Sequence, residues 1–174
     1  MFYNADSFEQ YISNWQVSDT ATLTDMFNSA DLMTSSQGFS STPTSADFYR
    51  PIFTNRTSLD NAITAWIADE AAVTATYGDI NNWDVSQITD FSNLFQNKAT
   101  FDSDISNWDV SSGTDFGEMF SGASSFNQDI DSWNVGSGTN FFGMFSGASS
   151  FNQDIGSWNV GSGNNFSGMF SGAS

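Results

Sequence analysis

The chain contains no cysteine and no histidine. These absences exclude a disulfide framework, thiolate or imidazole metal sites, a Cys nucleophile and the commonest general base. Basic residues are nearly as scarce: Arg50, Arg56 and Lys98 stand against 20 acidic residues, for a net charge of -17 over 174 residues. A nucleic-acid backbone or an anionic membrane surface needs clustered Lys and Arg, so neither is expected as a partner. Glutamate occurs only at Glu9, Glu70 and Glu118, and the scattered aspartates give no unique acid/base pair, so no enzyme is expected. No run approaches the roughly 20 apolar residues of a membrane span. No basic segment followed by an apolar one opens the chain, so a secretion signal would lie outside this stretch.

Aromatic side chains are abundant, with 18 Phe, six Trp and four Tyr. Acidic disordered chains lack such a load, and here it must be buried. Phe126–Ser150 is followed at once by a near copy, Phe151–Ser174, which differs only at Asp131/Gly156, Thr139/Asn164 and Phe142/Ser167. Aligned on tryptophan, Trp83, Trp108, Trp133 and Trp158 stand 25 residues apart, as do Ile80, Ile105, Ile130 and Ile155. Phe8, Ile12, Trp15, Val17, Leu23, Met26, Phe27 and Ala30 carry the same pattern at the start of the chain. Met1-Phe2 falls in the phase of Met119-Phe120. The expectation is therefore a segment of something longer, or a protomer whose ends are complementary.

A fixed period of this length means stacked units, none of which buries its core alone. Ile105, Trp108 and Val110 have the spacing of a leucine-rich-repeat strand with Asp109 outward. Thr114-Asp115 opens an apolar stripe at Phe116, Met119, Phe120 and Ala123, spaced as one helix face. The predicted architecture is a leucine-rich-repeat-like repeat solenoid with one short parallel strand and one short helix, α or 3₁₀, per 25-residue unit. Residues 1–33 read as one repeat, 34–56 as an irregular Ser/Thr/Pro linker, 57–77 as an amphipathic capping helix started by Thr57-Ser58, and 78–174 as a four-repeat solenoid.

The run F-N-Q-D-I-x-x-W-x-V with its G-M-F-S-G-A-S-S tail, preceded by Leu59–Tyr77, resembles the BspA-like surface-protein repeats, a leucine-rich-repeat branch also collected from mycoplasma lipoproteins. The resemblance covers Thr57–Ser174 closely and Met1–Met33 as one more repeat. It implies an extracellular or cell-surface protein used in adhesion or binding, with no catalytic residue to carry over.

Three polar columns are candidate sites. Asp79, Asp104, Asp129 and Asp154 precede the isoleucines, and stacked carboxylates repel. Asx-type bonding to local N–H groups relieves this, or calcium bridges them as the one cofactor considered; the missing Gly and Glu of a calcium loop favour the former. Asn82, Asn107, Ser132 and Ser157, with Asp84, Asp109, Asn134 and Asn159, form two outward columns. They read as a side-chain ladder ahead of a concave binding face, since they lack aromatic or Arg anchors. Two functions are compatible with this reading: an adhesion or protein-interaction module, or a structural subunit polymerising head to tail. In the second, residues 1–33 stack on 151–174 of the next copy, with Phe8, Ile12, Trp15 and Val17 against Ile155, Trp158 and Val160.

Overall fold

The computed structural model describes residues 51–173. The expected first repeat, with Phe8, Ile12, Trp15 and Val17, and the linker before Pro51 lie outside the described residues. The fold starts with helix α1, Arg56–Ala68. Its cap is Asn55 and not the expected Thr57-Ser58: the Asn55 side chain accepts the Ser58 N–H at 2.9 Å, and the Ser58 hydroxyl donates back to the Asn55 carbonyl. The expected single helix breaks at Asp69, whose side chain accepts the Ala72 N–H at 3.0 Å and so starts α2, Glu70–Tyr77. A short carboxylate competes well for nearby N–H groups, which favours a new cap over continuation.

Leu59, Ala62, Ile63 and Trp66 form the buried face of α1. Trp66 meets Trp83 edge-on, centroids 5.7 Å apart, and Phe53 packs on Trp83 at 5.1 Å. Pro51–Phe53 runs beside Asp84, exchanging two backbone hydrogen bonds of 2.9 Å with it. Together these residues cover the N-terminal face of the coil that begins at Asp79.

From Asp79 onward the chain winds in stacked coils with a 25-residue period, three complete and a fourth described from Asp154 to Ala173. Each coil turns at three Asx corners, where a side-chain oxygen accepts the N–H two residues ahead. In the second coil these are Asp104 to Ser106 at 2.9 Å, Asp109 to Ser111 at 3.0 Å and Asp115 to Gly117 at 2.8 Å. The other coils repeat them with Asp or Asn in the same phase.

Inside, phenylalanines stack in columns. Phe91, Phe116, Phe141 and Phe166 lie 5.2–5.5 Å apart, and Phe95, Phe120, Phe145 and Phe170 lie 5.3–5.6 Å apart, all nearly parallel. Stacking identical rings buries aromatic surface while keeping an offset geometry that the ring quadrupole tolerates.

The leucine-rich-repeat-like solenoid is not what forms. Among the described residues there is no strand, only isolated parallel bridges that join Asp90, Asp115, Asn140 and Asn165 in sequence and Ile52 to Asp84, and no helix recurs in the coils. The run from Ile105 to Val110 buries Ile105, Trp108 and Val110 as expected. It is nevertheless bent by the Asx turns at Asp104 and Asp109 and by a Trp108 N–H bond to the Ile105 carbonyl, so no ladder can run along it. The expected helix face fails for another reason. Glu118 and Gly122, and likewise Gly143 and Gly147, sit at φ between 53° and 71°, where an α-helix needs about −63°.

What replaces the helix is a ladder of alternate peptides. The N–H groups of Phe116, Glu118, Phe120 and Gly122 leave sideways to the carbonyls of Asn140, Phe142, Met144 and Ser146 in the next coil, at 2.7–2.9 Å. Phe91, Asn93, Phe95 and Asn97 do the same toward the second coil, and Phe141, Gly143, Phe145 and Gly147 toward the fourth. The four columns of peptide groups therefore point one way along the stack, N–H forward and C=O backward.

Tryptophan adds a further tie. The indole N–H groups of Trp108, Trp133 and Trp158 donate to the carbonyls of Ile80, Ile105 and Ile130 in the coil before, at 2.8–3.2 Å. Trp83, with α1 where a preceding coil would be, is buried and finds no acceptor for its N–H among the described residues. Trp133→Phe removes one of two donors to the Ile105 carbonyl and leaves the Trp108 N–H, whereas Trp83→Phe removes a donor with no acceptor among the described residues. Denaturant titration is expected to show Trp133→Phe as the more destabilising by about 0.5–1.5 kcal/mol, the net value of one hydrogen bond. Equal losses would mean that the indole bonds contribute nothing.

Candidate interaction surfaces

Asp79, Asp104, Asp129 and Asp154 are exposed at the first corner of each coil. One oxygen of each accepts a local N–H at 2.8–3.0 Å, and the second oxygen of Asp104 accepts from the Asn81 amide at 2.8 Å. Among the described residues no group of three or more acidic side chains is placed to hold a metal ion.

Of the outward columns, Asp84, Asp109, Asn134 and Asn159 each serve the second Asx corner of their own coil. Bonds between coils come from their neighbours. Asn107 donates its N–H to the Asn81 side chain at 2.8 Å, Ser132 its hydroxyl to the Ser106 carbonyl at 3.2 Å, and Ser157 its hydroxyl to the Asp131 carbonyl at 3.0 Å. Asn82 lies half-buried in the 3₁₀ turn Ile80–Asn82. A side-chain ladder does form at a position the outward columns do not include. Asn127 and Asn152 donate their N–H groups to the side chains of Asp102 and Asn127, at 2.8 and 2.9 Å. The amides of Gln128 and Gln153 clamp the same two residues, donating to backbone and side-chain oxygens at 2.8–2.9 Å.

The two ends of the stack differ. At the first coil Phe91 and Phe95 are fully buried. The carbonyl at the start of the first peptide column, that of Asp90, accepts from the Arg56 guanidinium at 3.0 Å, and Arg56 also reaches the carboxylates of Asp60 and Asp90. Partial burial pushes the Asp90 carboxyl upward. The Ser92 hydroxyl and N–H and the Arg56 charge together outweigh that, holding it below its ordinary value. A cation therefore sits where the C=O end of the column concentrates partial negative charge.

Among the described residues no such closure is made at the last coil. Val160, Phe166 and Phe170 are 37%, 40% and 49% exposed, while their counterparts Val135, Phe141 and Phe145 are at most 1% exposed. Ile155 is partly buried and Trp158 is buried. Among the described residues nothing accepts from the N–H groups of Phe166, Gly168, Phe170 and Gly172, the forward ends of the four peptide columns. Sequence reasoning placed Ile155, Trp158 and Val160 at this end but passed over these four donors, because a helix would have satisfied them internally. Gly143 and Gly147, four residues apart in a supposed helix, were the signal that could have exposed them.

Elsewhere, a shallow groove lined by Ile52, Ser58, Asn61, Ala65 and Tyr77 runs along α1 and gathers no charged or nucleophilic group. No described helix is long and apolar enough to cross a membrane. No curated protein and no solved structure matches the chain. A family model matches it twice, over residues 1–77 and 68–174, the matches overlapping across α2. The chain belongs to the family described as Mycoplasma protein of unknown function, DUF285.

Proposed function

We propose that the chain is a non-catalytic, extracellular or cell-surface repeat protein that works by contact with other proteins, in adhesion or interaction. The observation that carries this reading is the last described coil, where Val160, Phe166 and Phe170 lie exposed beside four N–H donors that nothing among the described residues answers. Exposed aromatics ringed by polar residues mark contact surfaces, and a row of free peptide groups is a template for an added segment. The likeness of the F-N-Q-D-I-x-x-W-x-V run to BspA-like surface repeats supports the same reading. So does the lack of converging acid, base or nucleophile among the described side chains. A second reading, head-to-tail assembly, uses the same surface and is favoured by the match of Phe8–Ala30 to the coil pattern.

Beads coated with the full chain are expected to be retained under flow on a monolayer of cultured cells. Beads coated with the Phe166→Asp/Phe170→Asp variant are expected to wash off. Equal retention of the two would remove the last coil as the contact surface, and no retention of either would remove the adhesive reading.

A further inference from the structure

We propose a second contact site on the side wall of the stack, where Phe142 and Glu118 together take a cationic side chain, Lys or Arg, of a partner protein. It lies between the second and third coils and is independent of the last one. The two residues are those that break their columns. In the column Ser92, Gly117, Phe142 and Ser167 the single aromatic residue is Phe142, and in the next column, Asn93, Glu118, Gly143 and Gly168, the single charged residue is Glu118.

The fold brings these two departures together. The Glu118 N–H donates to the Phe142 carbonyl at 2.7 Å. The Glu118 side chain then lies across Gly143, the residue after Phe142: a Cβ built on Gly143 would stand 3.3 Å from Glu118 Cγ and 4.0 Å from its Oε1. The other carboxylate oxygen, Oε2, accepts from the Gln96 amide of the first coil at 3.0 Å. Two residues before Phe142, the Asn140 amide donates to the Asp115 carboxylate at 2.9 Å, and its oxygen accepts the Phe142 N–H at 3.1 Å. Phe142 itself is 43% exposed. The polar groups around it are therefore held by their neighbours in the stack before any partner arrives, which lowers the ordering cost of a contact.

The neighbouring coils are built without either side chain. Glu118 takes a φ of 53°, a left-handed conformation that is costly for a glutamate and free for Gly143 and Gly168 in the same column. Phe142 leaves an aromatic side chain in water where Ser92 and Ser167 stand in the first and fourth coils. Backbone strain kept beside an exposed ring points to a contact. Charge selects its occupant. No Lys or Arg follows Lys98 in the sequence, and among the described residues only Arg56 forms ion pairs, with Asp60 and Asp90. A Lys or Arg side chain meets both halves of the site, its charge on the carboxylate and its stem or guanidinium plane on the ring. The net charge of -17 draws cations toward the whole chain, and the ring and carboxylate together decide where one settles.

The test is an NMR titration of the full chain with Nα-acetyl-arginine amide, run beside its uncharged counterpart, Nα-acetyl-citrulline amide. The arginine compound is expected to shift the backbone amide signals of Glu118, Phe142 and Gly143 to saturation, and the citrulline compound to bind at least about fivefold more weakly. Phe142→Ser, which restores the residue of the first and fourth coils, and Glu118→Gly, which restores that of the third and fourth, are each expected to weaken arginine binding about three- to tenfold with the rest of the spectrum unchanged. Shifts spread evenly over the exposed aspartates, no saturable shift, or full binding by either variant overturns the proposal, because cations would then be gathered by net charge alone or not at all. Equal binding of citrulline overturns it too, as do shifts at the same amides from methyl glucoside and none from arginine, which would make this a site for a neutral ligand. The bead assay reads the last coil and this titration reads the side wall, so each result stands or falls by itself.

Discussion

Phe120→Ala is expected to destabilise the coils by about 3–5 kcal/mol, the range for deleting a fully buried aromatic side chain. Phe120 is completely buried, with Phe95 and Phe145 stacked on its two faces at 5.3 and 5.5 Å and Phe126 at 4.0 Å. The neighbouring rings are held by their own backbone ladders and cannot collapse into the gap. In a stack whose units contact only their neighbours, the loss falls on the interfaces to the coils before and after. Chemical denaturation is therefore expected to show an earlier, broader transition as the halves lose their coupling. Phe170→Ala, at the open end and half exposed, is the internal control, with an expected loss below about 1 kcal/mol. Similar losses at the two positions would show that the ring column does not hold the coils together.

Gly138→Ala is expected to destabilise by about 1–3 kcal/mol, although it adds one methyl group to a residue with ordinary backbone angles. A Cβ there would stand 2.4 Å from the Phe141 Cζ and 3.0 Å from the Val135 carbonyl oxygen. The ring cannot retreat, because Phe116 and Phe166 stack on its two sides at 5.5 and 5.2 Å. Gly113 and Gly163 make the same close approach to Phe116 and Phe166. At Gly163 the ring is half exposed and free to swing away, so Gly163→Ala is expected to be nearly silent. The comparison is read from melting temperatures, and a Gly138→Ala protein as stable as Gly163→Ala would contradict the tight ring seat.

The period of the coils was legible because burial demands the same large side chains at the same phase, as Trp83, Trp108, Trp133 and Trp158 show. The internal shape of each coil was not. Apolar spacing at Phe116, Met119, Phe120 and Ala123 fits a helix and also a run of turns that points the same side chains inward. Only backbone sign separates the two, and Glu118 takes a positive φ that no propensity would assign to it. The Asx bonding considered for Asp104 was legible from the residue type. Its repetition at Asp109 and Asp115 was missed, since Asp109 looked outward on a strand and Asp115 looked like the start of a helix, and neither element forms. The indole bond from Trp133 to the Ile105 carbonyl depends on the offset between coils, which spacing along one chain does not encode.

The one-way peptide columns also bear on how the chain folds as it is made. Coil one is laid down first against α1, and its N–H groups of Phe91, Asn93, Phe95 and Asn97 wait for carbonyls that belong to the coil synthesised next. Each later coil finds a finished template behind it and donates to the coil directly before it, at separations of 25 to 28 residues. Contact order stays low however many coils are added, so lengthening the stack should slow folding little. The order of synthesis and the order of pairing are the same, and a nascent chain of this kind can zip shut from its N-terminal end while its C-terminal part is still being translated.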